Sequence, residues 1–427
     1  MHMERSSRIE GLYKKPMAER LKIVKEFGAL TDEEALALSG FGGVDPAIPD
    51  KMIENAIGSF PVPLGVAANF TINGKDYLIP MAIEEPSVVA AASNSAKLAI
   101  GGGGFTSSCT EPIMIGQVQV TAVSDPDEAM RSVLSRKDEI INLANEQDPM
   151  LVKLGGGAKD LEARVIDTQS GRQLIIHLLV DVRDAMGANA VNTMAEAVTP
   201  LVEEMTGGRV YLRILSNLAK YRLAKSTAVW KRDAIGGEEA VHGIIEAYSF
   251  AAADPFRCAT HNKGVMNGID AVMLATGNDT RAIEAGAHAY ACITGAYKPL
   301  TKYEITAEGD IAGTIELPMA VGLIGGATKV HPTARACVKL LGVKSAGELG
   351  GIAAAVGLAQ NFAALRALAT VGIQKGHMSL HARNIVASVG CPPELVDEVV
   401  EIIVAERKIR MDRALEVVNE LVAKRGE

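Results

Sequence analysis

Residues 173–205 read QLIIHLLVDVRDAMGANAVNTMAEAVTPLVEEM, and the change of period along them decides the fold. The first part, Gln173–Val182, is an apolar run that predicts a strand. The last part sets Val191, Met194, Val198, Leu201, Val202 and Met205 on one face at helical spacing, which predicts a helix over Ala190–Met205. Between them lies Asp184-Ala185-Met186-Gly187-Ala188-Asn189. A glycine at a strand-to-helix joint lets the backbone approach a ligand. The free N–H groups at the helix start then favour an anion such as a pyrophosphate. A plain tight turn accounts for the same residues equally well.

Outward from this stretch the pattern continues. Ile115–Val123 alternates apolar and polar residues and predicts a strand. Pro126–Gln147 is charged and amphipathic and predicts a helix. Leu161–Asp167 and Gln173–Val182 predict a hairpin across Gln169-Ser170-Gly171. Gly207-Gly208 stops the helix, and Arg209–Leu215 predicts a last strand. The order is β-α-β-β-α-β, the ferredoxin-like arrangement, over about 100 residues, one domain's worth. We therefore expect an α+β chain. A large mixed helical and strand domain (1–110 with 217–375) carries an inserted small domain (111–216) and a helical tail (376–427). In the large domain we expect a hairpin at Asn73-Gly74 and helices near 236–250, 279–291 and 346–370. Val272–Thr276 is strand-like.

The composition narrows the function. With 427 residues, about two to three domains are expected. Aromatics are only 4% of the chain, so the cores must be built from aliphatic residues and methionine. A net charge of −8 argues against a general nucleic-acid binder, which needs a basic face. The five cysteines, at 109, 258, 292, 337 and 391, show no C-x-x-C spacing and suit reduced thiols in the cytoplasm. Residues 1–26 are rich in charge and lack a signal core. The most apolar stretch, Gly350–Ile373, contains Gln360, Asn361 and Arg366, so we expect a buried helix and no membrane anchor.

Four further motifs carry polar chemistry. Glu84-Glu85-Pro86-Ser87 precedes an Ala-rich helix over Val88–Ala99. Glu85 is either a general acid or a carboxylate that only caps that helix, where the dipole would lower its pKa. Lys263, in His261-Asn262-Lys263-Gly264, is either an oxyanion partner or a solvated charge. Asp279, in Gly277-Asn278-Asp279, reads as a helix cap. His377 and His381 are four apart, a metal-ligand spacing without a supporting carboxylate or cysteine. A general acid is the better reading of one of them. No G-x-G-x-x-G or Walker A string occurs.

Taken in order, Glu54–Gly58, Glu85-Pro86-Ser87, Asp184–Asn189, Ser216-Asn217-Leu218, His261–Gly264, Gly277–Asp279 and Gly376-His377-Met378 resemble the 3-hydroxy-3-methylglutaryl-CoA (HMG-CoA) reductases. Ala188-Asn189 and the long tail after His377 resemble class II. The resemblance implies reduction of HMG-CoA to mevalonate and CoA by two hydride transfers from NADH, with NADPH possible, or the reverse oxidation. It implies no metal. Lys263 would stabilise the oxyanion, His377 would protonate the CoA thiolate, and Glu85 would donate the second proton. Asp279 would hold Lys263 charged. Ser87, Arg257, Asn267 and Asn361 match positions that hold the acyl part. Asp184, Met186, Gly187, Ala188, Asn189 and Asn217 match the cofactor site, and Asp148 the adenosine ribose. Glu146 beside it is a rival for that role. The resemblance also implies a homodimer with interfacial sites, and a mobile flap over 376–427 hinged at Gly376. From charge alone, Arg5, Arg8, Lys14 and Lys15 are candidates for the phosphates of CoA. Two other classes remain open: a metal-dependent hydrolase using His261, His377 and His381, and a non-catalytic CoA-ester binder.

Overall fold

Asn73 and Gly74 take left-handed backbone angles, φ 51° and 77°, and fold strand β1 (Leu64–Ile72) back on β2 (Lys75–Ala82). Asn-Gly tolerates that two-residue turn. The computed structural model describes residues 6–40, 45, 47–326, 330–370, 382–383 and 385–425. Within them the strands continue as β3 (Phe105–Cys109), β4 (Ile113–Thr121), β5 (Gly157–Thr168), β6 (Gly171–Asp181), β7 (Arg209–Ser216), β8 (Leu223–Trp230), β9 (Thr301–Ile305) and β10 (Ile311–Pro318). One sheet has the order β2-β1-β3-β8-β10-β9 and the other β5-β6-β4-β7. The chain leaves the first sheet after β3, builds the second, and returns at β8. Because β3 pairs with β8, the excursion begins and ends at one place.

The second sheet is antiparallel throughout, and helices 126–135, 137–145, 188–197 and 199–206 pack on it. Two of these pairs were each expected as one helix. The expected helix 126–147 breaks at Arg136, whose φ of −113° and ψ of 23° are not helical. The expected helix 190–205 divides after Ala197, with Pro200 in the first turn of its second half. Proline has no N–H for the bond that would carry the first helix onward. Val272–Thr276 also departs from expectation. Apart from its cap, Thr276, it is the end of the 21-residue helix Pro255–Ala275. Val265, Met266, Ile269, Val272 and Met273 are buried there at helical spacing, and a short apolar run alone does not separate strand from helix.

Helix Ala346–Ala369 is long and apolar enough to cross a membrane by length and composition, yet most of it is enclosed by the rest of the chain. Ser345 caps it by accepting from Glu348 N at 3.1 Å. Phe362 from this helix stacks on Trp230 of β8, with ring centroids 3.8 Å apart. Removing such a buried ring costs about 3–5 kcal/mol. The tail residues 382–421 bury a separate apolar cluster that includes Val399, Ile403 and Val417.

Candidate active site

Ser87 holds a φ of 75°, an uncommon conformation for a residue with a side chain, and caps helix Val88–Ala99. Its hydroxyl is buried and has no hydrogen-bond partner among the described residues. Strain and an orphaned hydroxyl together are what a ligand-binding turn produces. Pro86 lies before the helix rather than in its first turn, and Glu85 is not the cap. Instead Glu85 Oε2 accepts from Lys263 Nζ at 2.6 Å and from Asn267 Nδ2 at 3.3 Å. Lys263 and Asn267 are one turn apart on helix 255–275, so they share a face. The pair is open to solvent, with the lysine side chain 59% exposed and the glutamate 33%. An ammonium that a substrate oxygen can reach is thus held against a carboxylate that can pass on a proton.

Arg257 lies in the first turn of the same helix, where its backbone N–H donates to the capping Asp254 at 2.7 Å. Asn361 is 1% exposed. Its Oδ1 accepts from Thr301 Oγ1 and Tyr303 OH at 3.0 and 2.9 Å, and its Nδ2 donates to His261 O at 3.0 Å. In this chain Asn361 therefore joins the core helix to the lysine helix and does not open on the cleft. His261 is equally enclosed. Its Nε2 lies 2.6 Å from Thr301 Oγ1, and burial, with a smaller contribution from Arg257, pushes its pKa down to about 3. That places it in the interior. No cluster of three or more His, Cys, Asp or Glu suited to a metal occurs among the described residues. Gly376, His377 and His381, with Arg5, lie outside the described residues.

Asp279 belongs elsewhere. It caps helix Thr280–Ala291 by accepting from Ala282 N at 3.1 Å, and Arg281 Nε lies 3.9 Å away. Lys263 is twelve residues before the end of helix 255–275, roughly 18 Å along its axis. Within one chain the ion-pair neighbour of Lys263 is Glu85 and that of Asp279 is Arg281.

Asp279 instead adjoins the glycine joint. Gly322 N donates to Asn278 Oδ1 at 2.8 Å, and a Cβ on Gly322 would stand 2.6 Å from Met186 N. Gly187 has φ 99° and starts helix Ala188–Ala197; a Cβ there would meet Val182 at 2.5 Å. Only glycine gives this close strand-to-helix joint, and it leaves the amides of the first turn free for an anion. The Asp184 carboxylate accepts from Ala346 N at 2.7 Å, so it anchors the loop to the core helix rather than facing outward. Asn217 is exposed at the exit of β7, and its carbonyl lies against Gly286 of the helix that Asp279 caps. Asp148 caps helix Pro149–Lys153 through Leu151 N at 2.9 Å, while Glu146 is exposed nearby. The chain carries two half-sites: Glu85, Ser87, Lys263 and Asn267 in one, and the 184–189 loop, Asn217 and Asp279 in the other.

Residues 16–382 match the family described as hydroxymethylglutaryl-coenzyme A reductase. The chain belongs to the HMG-CoA reductase family. Over 97% of its length it is 64% identical to the 3-hydroxy-3-methylglutaryl-coenzyme A reductase of Archaeoglobus fulgidus, covering 95% of that protein. Its fold matches the class II HMG-CoA reductase of Streptococcus pneumoniae bound to NADPH, with a TM-score of 0.82 and 40% identity over 84% of this chain and 99% of that one. A second structure of the S. pneumoniae reductase matches over 96% of this chain and 99% of that one, at 39% identity and a TM-score of 0.83. This HMG-CoA reductase is accordingly an oxidoreductase of class II that uses a nicotinamide cofactor to reduce HMG-CoA to mevalonate.

The sequence of this reductase marks 322–326 as a glycine-rich joint but gives no sign of Arg222, which braces the 184–189 loop against it. An arginine between two strands carries no signal that its side chain turns inward.

Proposed function

We propose that HMG-CoA is reduced at sites that two copies of the chain complete together, Lys263 and Glu85 coming from one and Asp279 from the other. The observation that carries this reading is the Lys263–Glu85 contact at 2.6 Å on a helix whose end, four residues before Asp279, lies roughly 18 Å farther along the axis.

The nicotinamide, when bound, supplies hydride to the thioester carbon and then to mevaldehyde. Lys263 neutralises the oxyanion that forms at each carbonyl oxygen. Asp279 of the second copy keeps the ammonium charged. His377 protonates the departing thiolate of CoA, and Glu85 delivers a proton to the second alkoxide. Ser87, Arg257 and Asn267 hold the acyl chain, and Asn361 keeps the lysine helix in place. The cradle at Gly187, Ala188 and Asn189 suits the cofactor's pyrophosphate, with Met186 and Asn217 at its edge. Asp148 takes the adenosine 2′-hydroxyl and repels a 2′-phosphate, so NADH is preferred. Residues 376–427 act as a flap that brings His377 in. The inserted unit 111–216 binds the cofactor, and the large unit binds HMG-CoA. All five cysteines are free thiols, which supports a cytoplasmic enzyme.

The test is turnover with NADH and with NADPH, in both directions, on the wild type and on Lys263→Ala. HMG-CoA-dependent oxidation of NADH that the substitution abolishes supports the reading. Undiminished turnover in Lys263→Ala removes it.

A further inference from the structure

Arg222 stands in the turn through which the chain passes from β7 of one sheet to β8 of the other. It is 5% exposed, and no carboxylate hydrogen-bonds it among the described residues. Nη1 donates to Ala185 O at 3.0 Å and to Met186 O at 3.2 Å, and Nη2 donates to Val321 O at 2.5 Å. A guanidinium buried among carbonyls is costly, and the hydrogen bonds it donates offset that cost. Burial lowers its pKa to about 10, so it keeps its charge at neutral pH.

The three carbonyls do not come from one element. Ala185 and Met186 lead into Gly187, the start of helix 188–197. Val321 precedes Gly322, whose N–H donates to Asn278 Oδ1 beside Asp279. The two segments also bond directly: Leu323 N donates to Asp184 O at 2.9 Å, and Ala185 bridges to Ile324. A peptide unit is planar and trans, so its C=O and its N–H point in opposite directions. Holding Val321 O turns the next N–H, that of Gly322, away from Arg222 and onto Asn278. By the same rule, holding Met186 O turns the N–H of Gly187 away from the guanidinium, and holding Ala185 O turns that of Met186.

We infer that Arg222 is a positioning residue that sets the 184–189 loop and the Asp279 turn in one register, so that a cofactor diphosphate on the loop and the Asp279 carboxylate are placed together. This rests on the cofactor placement proposed above. Arg222 touches neither substrate nor cofactor and acts through backbone. Lysine, with one ammonium, satisfies fewer of the three carbonyls than the guanidinium fork and restores only part of the effect.

Arg222→Met, Arg222→Gln and Arg222→Lys are compared with wild type by melting temperature, NADH affinity, kcat and the KM of HMG-CoA. In variants that fold, we expect Met and Gln to weaken NADH binding and lower kcat by about ten-fold or more each, with the KM of HMG-CoA within about two-fold and Lys intermediate. Folded variants with wild-type NADH affinity and kcat overturn the inference, as does a change confined to melting temperature. Hydrogen exchange on the wild type tests it without any substitution. NADH should protect 184–190, 321–324 and 277–280 together. Protection of 184–190 alone overturns the inference but leaves the cofactor placement standing. Protection of none of these segments removes both.

Discussion

Lys263 Nζ and Glu85 Oε2 stand 2.6 Å apart with both side chains partly in water, the lysine 59% exposed. A pair this open contributes about 0–1 kcal/mol to folding. Its value is chemical, because an ammonium already held in place needs no reorganisation when an oxyanion forms beside it. Lys263→Ala should therefore leave the melting temperature nearly unchanged while kcat falls by about 10²–10³-fold. Calorimetry beside steady-state kinetics checks this. A parallel loss of stability and turnover would make the pair structural.

Gly187 faces the opposite constraint. Its φ is 99°, and a Cβ there would lie 2.5 Å from Cγ1 of Val182. Valine is stiff at χ1 and cannot swing clear. Gly187→Ala should cost about 1–3 kcal/mol and weaken nicotinamide binding more than HMG-CoA binding. Val182→Ala in the same chain should recover part of the stability, since it removes the clash but not the left-handed strain. Urea unfolding of the single and double variants separates the two terms.

His261 gives the chain a pH signature unrelated to catalysis. Burial pushes its pKa down to about 3, against about 6.5 in an unfolded chain. Between those values the unfolded chain takes up a proton that the native one refuses. Stability from this group is therefore intact above pH 6.5 and declines as pH falls toward 3, by about 1.4 kcal/mol per unit. His261→Gln should flatten that slope in melting temperature between about pH 6.5 and 4. Equal slopes in the two proteins would count against a buried neutral imidazole.

Asp148 tests the cofactor preference. It caps helix 149–153 through Leu151 N, so removing it outright would also disturb the helix. Asn is as good a cap as Asp but carries no charge. Asp148→Asn should thus keep the fold while raising the NADPH-to-NADH ratio of kcat/KM by about ten-fold. An unchanged ratio would pass the role to Glu146, the exposed neighbour, and Glu146→Gln is the matching control.

What the sequence discloses depends on how far apart the interacting residues lie. The Asn73-Gly74 hairpin and the Gly187 joint are local, and their backbone angles follow from residue type. The break at Pro200 obeys a local rule too, but an apolar face continued across it and disguised it. Val272–Thr276 was ambiguous because a run of four apolar residues closed by a threonine suits either period. Arg222 was out of reach, since its carbonyl partners lie 36, 37 and 99 positions away. The gap between Lys263 and Asp279 became visible only once helix 255–275 was seen to be continuous.

That gap supports the sharpest prediction. If Lys263 and Asp279 act together, although within one chain Lys263 sits roughly 18 Å along the axis from the helix end that leads to Asp279, different copies supply them. Lys263→Ala and Asp279→Ala homodimers should each be nearly inactive. Unfolded, mixed in equal amounts and refolded together, they form hybrids in half of the dimers. In each hybrid one site collects both substitutions and the other collects none. Activity should rise to about a quarter of wild type, the statistical limit for a two-fold assembly. The control is a Lys263→Ala, Asp279→Ala double variant mixed with wild type. It places one defect in each hybrid site, so hybrids are dead and the mixture also retains about a quarter, all of it from wild-type homodimers. A single-variant mixture that stays inactive, although tagged chains prove that hybrids formed, would return both residues to one subunit.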